Sequence, residues 1–149
     1  MIGRLQKNKI NNLIDLRPAL MHSLEGIELA QELNKKLSAK ESRMACLLQI
    51  NAAKEESKAG VAPEAAYDTY MEIKERFPHI QLKGVMTIGA HTDDTKAIQQ
   101  SFETTHKIFT SLEKEGATVC SMGMSSDYEL AIKCGSNLVR IGSALFKEA

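Results

Sequence analysis

Residues 121–127, "SMGMSSD", and 140–146, "RIGSALF", each leave a short apolar run through a glycine and arrive at a serine. Turns of this kind suit an anion. Glycine lets the backbone approach a ligand with no Cβ in the way, and serine adds a hydroxyl to the backbone N–H donors. A helix start supplies partial positive charge. Ser125 and Ser126 stand just before the helical stretch "SDYELAIKCG", in which Ser126 and Glu129 have capping-box spacing and Gly135 is the terminator. Gly142 and Ser143 repeat the arrangement one strand later, with "ALFKEA" opening a short helix. Glycine and serine are also ordinary turn residues, and either motif alone reads as a plain turn. Their repetition on consecutive strands, near Met124 in the first and Gly142 in the second, favours phosphate. Arg140 lies inside the apolar run "LVRIG", where a charge is costly unless a partner meets it. Two readings stand: an ion pair with a neighbouring strand, or a fixed donor facing a ligand. In the second, Val139 and Ile141 point the opposite way.

The elements that must position these residues follow from periodicity. "LMHSL", residues 20–24, reads as a short strand. In 25–39, Ile27, Ala30, Leu33 and Leu37 share one helical face. Residues 44–51 and 82–89 are strands, apolar on both parities as expected when both faces are covered. Pro63 opens a helix carrying Ala66, Tyr70, Ile73 and Phe77, which Pro78 closes. The longest helix is capped by Asp93 or Asp94, striped by Ile98, Phe102, Phe109 and Leu112, and stopped at Gly116. "ATVCSM" and "NLVRIG" are the last strands. Repeated βα units with such strands imply an α/β fold with a parallel sheet, either open and doubly wound or a barrel. In both, ligands bind at the carboxyl ends of the strands, where the two turns fall.

Composition narrows the function. The chain has 149 residues, with 19 basic against 19 acidic side chains. That length fits one domain, 1–149, with a real core. A zero net charge argues against nucleic acid and against a polybasic membrane surface. No apolar run approaches the ~20 residues that span a bilayer. The N-terminus lacks the apolar core of a signal peptide. Cys46, Cys120 and Cys134 are widely spaced beside apolar runs and read as buried thiols of a reducing, cytoplasmic compartment. Neither they nor the histidines have metal-ligand spacing, so no metal is expected.

At these residues the chain resembles the pyridoxal-phosphate homeostasis protein family. "SMGMSSDYELAIKCGSNLVRIGSALF" matches that family's C-terminal signature almost throughout. "IGRLQKNK" matches its third-strand stretch, and "LLQINAAKEESKAG" and "LKGVMTIGA" its fifth- and sixth-strand regions. The resemblance implies the barrel also used by the alanine racemase N-terminal domain, here as a partial (β/α)8 TIM-type barrel of about six of the eight βα units. It implies a protein that binds pyridoxal 5′-phosphate (PLP) without robust turnover and serves PLP homeostasis. Met124 and Ser125 would contact the phosphate from one turn, and Gly142 and Ser143 from the next. Arg140 would approach the pyridine nitrogen, favouring its unprotonated form and weakening the cofactor as an electron sink.

The resemblance starts at the third strand, so the first two βα units and the Schiff-base lysine have no counterpart. Lys7, Lys9 and Lys58 read as solvated loop charges, and Lys147 stands where the family usually has glycine. PLP binding by this chain is therefore expected to be non-covalent at most. A PLP-dependent, racemase-like enzyme and a non-binding truncated fragment are the alternatives; the missing lysine and the lack of a C-terminal β-domain count against the enzyme. A barrel without its first two strands should expose inner-face apolar residues of "MACLLQIN" and "LKGVMTIG", so the expectation is either self-association through its open edges or a native protein with an additional N-terminal segment that supplies the Schiff-base lysine.

Overall fold

A computed structural model describes residues 5–53, 59–90 and 92–142. Lys58, Ser143, Lys147, the "ALFKEA" stretch and the start of "IGRLQKNK" lie outside the described residues. The five strands described are all parallel and lie in chain order: β1 (Met21–Leu24), β2 (Met44–Ile50), β3 (Ile80–Thr87), β4 (Val119–Met124) and β5 (Leu138–Arg140). Helix α1 (Ile10–Leu16) precedes β1. Between successive strands run α2 (Ile27–Ala39), α3 (Ala66–Arg76), α4 (Thr95–Leu112) and α5 (Tyr128–Lys133). A doubly wound sheet would reverse its strand order at a switch point. This order never reverses, which is barrel winding. The result is a curled half-barrel.

The register identifies the two faces of the sheet. Ser121 pairs with Met86, and Met86 with Gln49, so these three share the inner face, together with Leu47 two residues before Gln49. Cys46, Leu48, Ile50, Val85, Cys120 and Met122 face outward into the core beneath the helices. In a flat sheet, β1 and β4 would stand about 14 Å apart, three strand spacings. Yet His22 Nδ1 on β1 lies 3.2 Å from Ser121 Oγ on β4. The sheet is therefore rolled tightly enough for side chains three strands apart to meet. That roll corrects the expected exposure of the inner face: Leu47 and Met86 are fully buried.

Local chemistry explains most of the boundaries. The Asp94 carboxylate accepts the Lys96 N–H at 3.0 Å and starts α4. Gly116, at φ +98°, ends the 3-10 turn that follows. Pro63 begins a 3-10 turn, Pro63–Ala65, that leads into α3. Two boundaries differ from expectation. Helix α1 is not read from the sequence: Ile10, Leu13 and Ile14 are buried on one face, but two asparagines weaken its helical signal. The Ser126–Glu129 capping box does not form, because α5 starts at Tyr128 with Asp127 before it, and no side chain caps it. No helix of the described residues is long and apolar enough to cross a membrane.

Candidate functional site

The cleft at the carboxyl ends of β4 and β5 has a volume of about 550 Å³ and is lined by His22, Met124–Ser126 and Leu138–Gly142. The two glycine-serine turns meet here. Met124 and Arg140 are register partners, and the Gly142 N–H donates to Ser125 Oγ at 3.3 Å. Met124, Ser125, Arg140 and Gly142 are thus brought together; Ser143 lies outside the described residues. A Cβ added at Gly142 would meet nothing within 4 Å, whereas one at Gly123 would lie 2.7 Å from the Ala131 Cβ. Gly123, at φ +101°, lets β4 pass over α5 into the turn.

Asp127 braces that turn. Its Oδ1 accepts the Met124 N–H at 2.8 Å, and its own N–H donates to the Met124 carbonyl at 3.2 Å. One backbone donor of the turn is thereby engaged within the chain, by the carboxylate that a capping-box reading leaves out. Because α5 has only six residues, its dipole adds little.

Arg140 is 8% exposed and lines the cleft with His22, as do its neighbours Val139 and Ile141, against the expectation that these two face away. Its Nη2 donates to the Thr87 carbonyl at 2.7 Å, and the Thr87 hydroxyl donates to the Ile50 carbonyl at 2.8 Å. The ends of β2, β3 and β5 are tied in this way. Arg140 Nε is sealed from water and has no hydrogen-bond partner among the described residues. Burial lowers the guanidinium from its ordinary value, and the Asp127 carboxylate opposes that effect. No ion pair holds Arg140 among the described residues, so the first of the two readings of this arginine has no support in the structure.

His22 on β1 escapes the motif reading. It is 8% exposed and lines the same cleft. Burial, then the charge of Arg140, pushes its ring down to about 4, so it is neutral near pH 7. The signal was present in "LMHSL", a titratable residue inside an apolar strand, the same anomaly that singled out Arg140 in "LVRIG". Among the described residues no lysine lines the cleft; Lys7 is paired with Glu28 at 2.6 Å, at the other edge of the sheet. Cys46 and Cys120 are free and buried, and burial pushes both thiols up to about 12. No group of residues with metal-ligating side chains occurs among the described residues.

The family model described as "Alanine racemase, N-terminal domain" matches residues 2–149. The chain is 55% identical over 148 residues to the pyridoxal phosphate homeostasis protein of Helicobacter pylori; the match takes in 99% of this chain and spans 66% of that relative's length. PipY of Synechococcus elongatus, solved with PLP bound, superposes with a TM-score of 0.81 at 26% identity, over 97% of this chain and 68% of that one. Alanine racemase of Clostridium difficile superposes with a TM-score of 0.81 at 16% identity, over 99% of this chain and 40% of that one, a likeness of fold alone.

Proposed function

The chain belongs to the alanine racemase N-terminal domain family, and from that premise we propose that it binds pyridoxal 5′-phosphate in the cleft between β4 and β5 and serves PLP homeostasis rather than catalysis. The observation that carries this reading is Arg140. A buried donor without a partner costs roughly 1–3 kcal/mol, and among the described residues Arg140 Nε is such a donor, beside the two turns. Nε is covered by its surroundings, so a pyridine nitrogen supplies the missing acceptor once the side chains over it shift. Ser125 and the turn at Gly142 receive the phosphate beside Met124, whose own backbone N–H stays on Asp127.

When bound, PLP supplies an electron-withdrawing ring and a reactive carbonyl. The residues of this chain bind and orient it. Arg140 can donate but not accept, so it holds the ring nitrogen unprotonated and restrains the cofactor's power as an electron sink. With no lysine lining the cleft among the described residues, binding through this part of the barrel is non-covalent. The free thiols Cys46, Cys120 and Cys134 accord with a reducing, cytoplasmic setting.

Titration of the chain with PLP, followed by absorbance, with and without inorganic phosphate and then with borohydride, tests the proposal. Saturable binding that phosphate displaces and dialysis reverses is the expected result. A borohydride-fixed lysine adduct overturns the non-covalent mode, and no uptake overturns the proposal as a whole.

A further inference from the structure

Among the described residues the buried Arg140 side chain is tethered by one hydrogen bond, from Nη2 to the Thr87 carbonyl. Something must keep its guanidinium from turning away from the cleft or pairing elsewhere. The inner face of the half-barrel provides one candidate. His22 reaches across from β1 and lines the same cleft, and its Nδ1 lies 3.2 Å from the Oγ of fully buried Ser121. Ser121 fixes the ring at one nitrogen. A carboxylate at this position would draw the guanidinium into an ion pair, and a lysine would repel it. A neutral imidazole does neither, and it fills the interior with a rigid planar group.

We propose that His22, held by Ser121, is a positioning residue for Arg140: its ring walls the inner side of the cleft so that the guanidinium stays on the Thr87 carbonyl, in place for a ring-nitrogen acceptor of the ligand. This rests on the cofactor reading above. It assigns His22 to the pyridine end of the ligand and not to the phosphate.

The test compares the full chain with its His22→Leu and His22→Gln variants, titrated separately with PLP and with inorganic phosphate. His22→Leu should weaken PLP about tenfold, the scale of one misdirected hydrogen bond, with phosphate affinity unchanged. His22→Gln, which can still bond Ser121, should recover most of the loss. Equal PLP affinity in all three proteins overturns this inference alone, as does a parallel loss of PLP and phosphate, which marks a general collapse of the cleft. A wild-type chain that takes up no PLP overturns the cofactor reading and this inference with it. A ligand-independent measurement covers a His22→Leu variant that does not fold. The His22 ring resonances of the wild-type chain should report a neutral imidazole at pH 6, and Arg140→Leu should move its titration upward. A ring that titrates identically in both proteins shows that His22 does not sense the guanidinium, and overturns the proposal.

Discussion

Asp127 shows how one side chain can both build an anion site and limit it. Its Oδ1 fixes the Met124 N–H at 2.8 Å, which shapes the turn, while its charge stands beside the place proposed for a phosphate. These two effects separate on substitution. Asp127→Asn keeps an acceptor for Met124 and removes the charge, so inorganic phosphate should bind severalfold more tightly by isothermal titration. Asp127→Ala removes both, and the turn should lose about 1 kcal/mol of support, with phosphate affinity falling. If Asp127→Asn leaves phosphate affinity unchanged, phosphate sits elsewhere. Arg140 invites a different exchange. Arg140→Lys keeps the cation but not the planar fork that reaches Thr87 and carries Nε. PLP affinity should drop at least about tenfold, and wild-type affinity in that variant would remove Arg140 from the site.

At the scale of elements, glycines decide how closely strands approach. Gly84 lies in β3 where the β2–β3 register shifts between Cys46 and Leu47. A Cβ there would stand 1.8 Å from the Val119 carbonyl oxygen, a backbone atom that cannot step aside without parting β3 from β4. Gly116 also has a positive φ, +98° against +155° at Gly84, but a Cβ there would meet nothing within 4 Å. Gly84→Ala should therefore cost more than about 3 kcal/mol or abolish folding. Gly116→Ala should cost only the backbone strain, about 1 kcal/mol. Thermal melts of the two variants make the comparison, and equal losses would show that the close approach of β3 and β4 is not a constraint on the sheet.

For the whole molecule, the interior polar cluster links stability to pH. His22 titrates near 6.5 when unfolded and is pushed down to about 4 when folded. Between those values the unfolded chain binds the extra proton, so stability is complete above about pH 6.5 and is lost as pH falls toward 4. The loss from this residue should be on the order of 2–3 kcal/mol. Urea midpoints should drop over that window in the wild-type chain and drop less in His22→Gln; identical pH profiles would show that His22 is not buried neutral. Self-association is a separate matter. The burial of Leu47 and Met86 removes the exposed inner face as a driving force, leaving strand edges as the proposed route. Sedimentation across a hundredfold concentration range should show a concentration-dependent mass, and a constant monomer mass would dismiss association.

What could be read without coordinates was what repeats locally. Alternation of β and α, the Asp94 cap, the Gly116 stop and the pairing of two glycine-serine turns are carried by neighbours in the chain, because caps, turns and periodic faces depend on residues a few positions apart. The family signature in 121–146 has the same local character, and it pointed to the fold that the structure shows. Periodicity left barrel winding and a doubly wound sheet both open, since strand order is a matter of which distant strands pair; the family resemblance pointed to the barrel, and the strand order bears it out. Tertiary structure alone decided two things. It buried the inner face, because whether Leu47 and Met86 are covered depends on strands far apart in the chain rolling toward each other. And it placed His22 within hydrogen-bond reach of Ser121, 99 positions along the chain, and in the same cleft as Arg140; no local pattern encodes that meeting, which exists only once β1 and β4 curl toward each other.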